Sequence, residues 1–318
     1  MSSAMTLSEY IMNELSLIQK VVRDQLEFLK GLERPSLRRG LVTGAGDSHA
    51  ASIFAQLISR HNFLTVDPYE LRLRIPSISE GDLVAISVKG RTQEVVKVAE
   101  ALRGRGWRII SITASEESPL ARVSDVVIKL VYSGGALPVG IGNFAAVLAA
   151  LAWLFEGIAQ PPEIYEVKRV DHTLLEYEDV VTVGEGIGVV SAYFTCLKLH
   201  EVLCMPCRYY SIEQFLHAIL YSLSPSSLVM IFPGKEKRKS IQLSRILETA
   251  SIPYIYVSPP ATDTCLGLAL NGIMWGLSII MNTVRRKGLK EPCFMNRKDL
   301  LMLSTPIIYG SENTLEQP

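Results

Sequence analysis

Apolar positions between residues 6 and 33 recur at three- and four-residue steps: Leu15, Ile18, Val22, Leu26 and Leu29. That period predicts an amphipathic helix, closed by Gly31 and Pro35. The texture then changes to short β-branched runs, each followed by a turn and a helical stretch. Gly40–Thr43 leads into Gly44, Gly46 and Ser48 and a helix from about His49 to Arg60. Leu83–Ser87 leads into Lys89–Thr92 and a helix to about Leu102. Trp107–Thr113 and Asp125–Leu130 read as two further strands. Strands alternating with helices predict βαβ units, parallel sheets and right-handed crossovers.

The second half repeats this plan. Val180–Val183 enters Gly184-Glu185-Gly186 about 140 positions after the Gly44 turn, and Ser227–Phe232 and Pro253–Val257 follow at similar offsets. A repeat of this kind predicts a duplicated domain, with boundaries expected at 1–37 for an N-terminal helical segment, 38–165 for the first domain and 166–318 for the second. Glu156–His172, with Pro161-Pro162, reads as the linker. Each half ends in a strongly apolar stretch. Phe144–Phe155, between Asn143 and Glu156, falls short of the roughly 20 residues a bilayer requires. Leu266–Met281 carries Asn271 and three glycines. Both are expected to be buried helices, and their surplus of apolar surface suggests a homodimer. No membrane association is expected.

Composition narrows the classes. The 318 residues are 48% hydrophobic and 20% charged, which excludes a disordered or fibrous chain. Thirty-two basic residues balance 32 acidic ones, so no global field draws the chain to nucleic acid. Met1–Tyr10 lacks the basic flank and apolar run of a secretory signal, and five cysteines are too few and too odd for a disulfide framework. Reduced thiols and a cytoplasmic location are the expectation.

Two turns invite chemistry. Gly44-Ala45-Gly46 after a strand suggests a dinucleotide fingerprint with Asp67 as ribose acid, but His49 stands where the third glycine belongs. A nicotinamide site is disfavoured, and no cofactor is expected. The turn Ser87-Val88-Lys89-Gly90-Arg91-Thr92 is richer, with two hydroxyls, two cations and a glycine at the carboxyl end of a strand and the start of a helix. Such an edge suits a dianionic phosphate, because helix N-terminal amides and hydroxyls donate to its oxygens. The plainer reading makes Thr92 an N-cap and Lys89 and Arg91 solvated charges. Its counterpart, Pro233-Gly234-Lys235-Glu236-Lys237, has no hydroxyls, so only the first domain is expected to hold a phosphate.

These pieces together resemble the sugar isomerase (SIS) family, and within it the isomerase half of glucosamine-6-phosphate synthase and related sugar-phosphate isomerases and deaminases. The family's Gly-Thr-Ser turn matches Gly46-Asp47-Ser48, and its Ser-x-Ser-Gly-x-Thr loop matches Ser87, Lys89, Gly90 and Thr92, with lysine for the second serine. Its Leu-Lys-x-Lys-Glu helix matches Leu197–Glu201, and its Phe/Leu-x-His-Gly-Pro matches Phe215-Leu216-His217, followed here by Ala218-Ile219. The resemblance covers nearly all of 38–318. It implies an α/β fold of two tandem flavodoxin-like SIS domains, each a parallel sheet flanked by helices, and a small-molecule sugar phosphate as ligand. Three departures stand out: His-Gly-Pro is altered, Val139–Gly142 lacks the family's Ala-Ser-Thr-Lys hydroxyls, and Leu300–Tyr309 lacks the tail lysine, leaving Lys298 nearest. Glutamine-dependent synthesis is not expected.

The resemblance also proposes the acid–base groups. Lys198 and Glu201 lie at i and i+3 on one helix face, and the capping box Ser211-x-x-Gln214 starts the helix that carries His217. By resemblance, Glu201 is the isomerisation base and His217 the ring-opening group, reaching in from a neighbouring subunit. The residues alone allow a plain surface pair and a core histidine. Cys204-Met-Pro-Cys207 raises zinc or redox chemistry, but no second C-x-x-C accompanies it, and no metal is expected. Two readings stay open: an isomerase or deaminase–isomerase acting on a phosphorylated sugar, and a regulatory protein that binds a sugar phosphate without chemistry.

Overall fold

The computed structural model describes residues 5–75, 80–132, 134, 139–165, 172–260 and 262–310. Residues 166–171 of the expected linker lie outside them. In chain order the elements are α1 (Leu7–Lys30), β1 (Gly40–Thr43), α2 (Asp47–Ile58), β2 (Phe63–Thr65), α3 (Pro68–Leu73), β3 (Asp82–Ile86), α4 (Gln93–Arg103), β4 (Arg108–Thr113), α5 (Pro119–Arg122), β5 (Val126–Lys129) and α6 (Ile141–Glu156). They continue with β6 (Asp179–Gly184), α7 (Gly188–Leu203), β7 (Cys207–Ser211), α8 (Ile212–His217), β8 (Ser227–Phe232), α9 (Arg238–Thr249), β9 (Tyr254–Tyr256), α10 (Cys265–Lys287) and α11 (Lys298–Tyr309).

The chain divides into two compact units: Lys20–Gly135 with Gly140–Pro161 and Arg297–Pro318, and Met1–Gln19 with Ala136–Val139 and Pro162–Asn296. The first holds a five-stranded sheet of order β2-β1-β3-β4-β5, the second a four-stranded sheet of order β7-β6-β8-β9. Every pairing is parallel. The α/β fold of two parallel sheets flanked by helices, with a helix at the N-terminus, is as the sequence implied. The strand orders are the same doubly wound plan, with five strands in the first unit and, among the described residues, four in the second. In each, the first strand of the unit lies between the second and third, so the direction of winding reverses between β1 and β3 and between β6 and β8. Open α/β sheets bind ligands at such a reversal, at the carboxyl ends of the strands.

The central strands are buried on both faces, as parallel strands covered by helices must be. β3 and β8 are buried at every residue. Asp82 opens β3 with no exposed surface, and its carboxylate accepts from the Arg38 amide at 2.7 Å and from the guanidinium of Arg108. That burial of a charge is tolerated because both oxygens are answered by donors.

The two apolar stretches are α6 and α10. α6 buries Phe144 through Leu154 almost without interruption. α10 is long and apolar enough to cross a bilayer, yet 78% of its apolar window is buried inside the protein. The apolar surplus expected of these helices is therefore absorbed by the core, and exposed apolar surface gathers on α11, where Leu303 and Ile307 are 72% and 76% exposed.

Three features differ from the sequence reading. β2 and the edge strand β7 follow their helices as runs of three and five residues, too short to stand out from loops. Ser211 is the N-cap of α8, but its side chain makes no capping hydrogen bond. Cys204 and Cys293 form a disulfide with Cα atoms 5.6 Å apart, whereas Cys196, Cys207 and Cys265 are free thiols. The expectation of five reduced thiols fails for that pair, because α7 and α10 run side by side and bring together residues 89 apart in sequence.

Candidate functional site

At the first winding reversal two strand-to-helix turns stand next to each other, one after β1 and one after β3. In the turn after β1, the added Cβ of an alanine at Gly44 would lie 2.6 Å from the Ser48 Cβ, and Gly46 adopts φ +57°. Glycine at both positions lets α2 begin directly against the strand end. Ser48 lies in the first turn of α2, and the N-cap, Gly46, offers no side chain to the helix amides. His49 hydrogen-bonds back to the Gly44 backbone; burial pushes its imidazolium pKa down, while Asp67 and that bond oppose the shift.

The second turn is built around Gly90, at φ +63°. A Cβ there would meet the Ser118 hydroxyl oxygen at 2.0 Å, so only glycine permits the loop to pack on the start of α5. Ser87 is buried at the end of β3, and its hydroxyl lies 3.0 Å from that of Thr92. Thr92 is the N-cap of α4 but makes no capping bond with its side chain. The plain N-cap role therefore does not describe it: its hydroxyl is turned to Ser87. Lys89 is exposed. Ser48, Ser87, Lys89, Gly90 and Thr92 thus all sit on the two turns flanking the reversal between β1 and β3.

The second unit answers the same geometry differently. Gly188 and Gly234 allow the turns after β6 and β8 to approach, and the Glu185 carboxylate accepts from the amides of Lys239 at 3.1 Å and Ser240 at 3.3 Å. A helix N-terminus favours negative charge, and here the chain supplies it from its own side chain. An external anion would have to compete with the Glu185 carboxylate for these amides, a physical obstacle beyond the missing hydroxyls read from the sequence.

Lys198 and Glu201 do form a pair on α7. Lys198 is only 1% exposed, and its Nζ donates to a Glu201 carboxylate oxygen at 2.6 Å and lies 4.9 Å from the Phe194 ring centroid. Glu201 is 34% exposed, so the carboxylate reaches the surface while its partner does not. A buried ammonium needs a counter-charge, which removes the reading of an ordinary exposed helix pair. The depth of Lys198 comes from α10: Gly272 and Gly276 pass the Ser191 and Thr195 side chains so closely that an added Cβ would lie 2.6 and 2.2 Å from their hydroxyl oxygens.

His217, in contrast, ends α8 at 79% exposure, with Glu213 at 3.8 Å. No hydrogen bond or ion pair among the described residues joins it to Lys198 or Glu201. The core-histidine reading is thereby excluded. The Cys204–Cys293 bond splits the C-x-x-C motif, and burial beside Cys196 pushes the Cys207 thiol pKa up. One polar group escaped the sequence reading altogether: the Asn143 Oδ1, in the first turn of α6, is buried with no hydrogen-bond partner among the described residues.

Residues 37–156, which hold both turns of the first reversal, match the family model described as SIS domain. The chain carries a SIS domain. The chain is 36% identical to 3-hexulose-6-phosphate isomerase of Mycobacterium gastri over 126 residues, 37% of the chain and 63% of that protein. It is 22% identical to glutamine–fructose-6-phosphate aminotransferase (isomerizing) of Thermotoga maritima over 227 residues, 61% of the chain and 37% of that protein. Across four of the curated relatives it matches, the chain spans between 37% and 63% of their length. Among solved structures, glucosamine-6-phosphate deaminase of Thermotoga maritima has the same fold, with a TM-score of 0.70 at 18% identity, over 88% of this chain and 96% of that one.

The carboxylate plug has a measurable consequence. Glu185→Ala removes the acceptor for two amides of α9 and should lower stability to urea by about 1 kcal/mol, the usual worth of a lost helix cap. An unchanged urea midpoint would show that water replaces the carboxylate without cost.

Proposed function

We propose that the chain binds a sugar phosphate at the first reversal and interconverts its aldose and ketose forms, with Glu201 as the base. The observation that carries the ligand class is the pairing of two helix N-termini without side-chain caps, those of α2 and α4, with the facing hydroxyls of Ser87 and Thr92. A phosphate dianion is the complement of such a donor set. The names of the relatives support it, since hexulose-6-phosphate, fructose-6-phosphate and glucosamine-6-phosphate are all phosphorylated sugars. Ser48, Ser87, Gly90 and Thr92 hold the phosphate in this reading, and Lys89 adds a positive charge that a serine would not.

The chemistry follows from Glu201. Its carboxylate takes the proton from C2 of the open-chain aldose, the C–H electrons form the C1–C2 double bond, and O1 takes up a proton. Return of the carbon-bound proton to C1, with loss of the O2 proton, gives the ketose. Lys198 holds the carboxylate in place from its buried side. In this reading His217 opens the sugar ring of a second copy of the chain, the protein acting as a homodimer, and the exposure of the imidazole at the end of α8 supports that role. The bare apolar side chains of α11 favour such an assembly. A second reading, binding without chemistry, draws on the absence of any lysine between Leu300 and Tyr309.

Three measurements test these statements. Glu201→Gln keeps an oxygen for Lys198 but removes basicity, so isomerisation should fall about 10²–10⁴-fold and exchange of the C2 hydrogen with solvent deuterium should stop, with affinity nearly kept. A wild-type chain that binds hexose phosphates and never exchanges C2 hydrogen establishes the second reading. Lys89→Ser should weaken phosphosugar binding more at low than at high salt, because salt screens the lost charge; equal affinity at both would make Lys89 a bystander. Sedimentation at micromolar concentration should give the mass of two chains, and a monomer there would remove the subunit-crossing role of His217.

A further inference from the structure

We propose that a crevice at the amino ends of β1 and β2 binds a nucleoside phosphate, a ligand distinct from the sugar phosphate of the opposite sheet edge. The crevice has a volume of about 670 Å³, within the range of sites that enclose a small organic molecule. Arg38 and Arg39 line it from the segment just before β1, Arg60 and Asn62 from the turn between α2 and β2, and Phe63 and Phe155 from β2 and α6. The two rings meet edge to face, with centroids 4.9 Å apart. An apolar wall ringed by guanidinium groups is the complement of a flat ring that carries an anionic tail.

Some of the cations at this edge are already engaged by the protein. Arg38 answers Asp82 with its amide and its guanidinium, and Glu80 lies 3.8 Å from it. An added Cβ at Gly157, the C-cap of α6, would lie 3.0 Å from the Arg34 Nη1, so that guanidinium sits at the carbonyl end of the helix, where cations are favoured. Arg39 is different. It has no ion pair among the described residues, and it precedes a strand, whose end carries little dipole for it to answer. Arg60 acts on Glu156, the one acidic side chain among the described residues that line the crevice, but no ion pair joins the two. Burial pushes the Glu156 carboxyl pKa up, and Arg60 opposes that shift.

Arg60 is also held in a strained backbone. It and His61 adopt φ +54° and +61°, a left-handed pair that glycine would occupy without strain. Residues kept in such conformations gather at ligand clamps, and this one lines the crevice. Arg39 and Arg60 therefore take the phosphate groups, the Phe155 wall takes the base, and the Asn62 amide offers both a donor and an acceptor to the base edge. β1 lies between this crevice and the Gly44 turn, so the two ligands occupy opposite edges of one sheet.

Calorimetric titration of the full chain with ADP, GDP, UDP and pyrophosphate tests the assignment. At least one nucleotide should bind about tenfold or more tightly than pyrophosphate, which carries the anion without the ring. Arg60→Gly removes the guanidinium and relieves the left-handed backbone, so its melting temperature should stay level or rise while the affinity for that nucleotide falls about tenfold. Arg39→Ala should lose about as much. Ser87→Ala, in the turn after β3, should leave nucleotide affinity unchanged. Failure of every nucleotide to bind, pyrophosphate binding as tight as the nucleotide, or unchanged affinity in both arginine variants overturns the site. Nucleotide binding lost in Ser87→Ala and kept in the arginine variants places the ligand at the first reversal and overturns it as well. No sugar phosphate enters the experiment, so its failure leaves the reaction proposed above untouched.

Discussion

A helix that follows a strand leaves four amide donors without partners at its first turn, and what answers them decides the character of each half of this protein. In the second unit the answer is internal: Glu185 accepts from Lys239 and Ser240 at the start of α9. In the first unit neither Gly46 nor Thr92 caps its helix with a side chain, and the available hydroxyls turn toward each other. The same doubly wound plan thus yields one crevice that is filled by the chain and one that presents donors. The difference lies in one carboxylate and two hydroxyls, together with a left-handed N-cap at Lys237 of α9 where Thr92 of α4 is extended.

The chemistry-bearing pair depends on a second constraint, the close approach of α7 and α10. Two glycines on α10 admit the side chains of Ser191 and Thr195, and the next turn of α7 carries Lys198 into the core. An ammonium so deeply buried must be matched by a carboxylate, and Glu201 is placed one turn on to do so. The pair is therefore fixed from below by packing, while the outer carboxylate oxygen stays near solvent. The Cys204–Cys293 bond ties the end of the same helix to the segment after α10, just past Glu201.

Much of the fold was legible because its signals are local. Periodicity at three to four residues marked α1, β-branched runs ending in glycine turns marked β1, β3, β6 and β8, and a β-branched run without one marked β4, all within a residue or two of their observed limits. The turn at Ser87–Thr92 stood out by composition, and the i, i+3 spacing of Lys198 and Glu201 correctly placed them on one face. The short elements β2 and β7 were not legible, since three to five residues carry too little pattern and owe their form to the neighbouring strand.

The sequence by itself determined the α/β class, the duplicated plan, the two glycine turns of the first reversal and the identity of the residues on them. Only the tertiary structure decided that Thr92 does not cap its helix, that Glu185 plugs the second reversal, that Lys198 is buried while His217 is bare, that Cys204 finds Cys293, and that the Asn143 oxygen goes unanswered among the described residues. The physical reason is the same in each case. Periodicity and turn chemistry act between residues a few positions apart, whereas burial and hydrogen-bond satisfaction depend on which distant segments close around a group, and no local pattern encodes that.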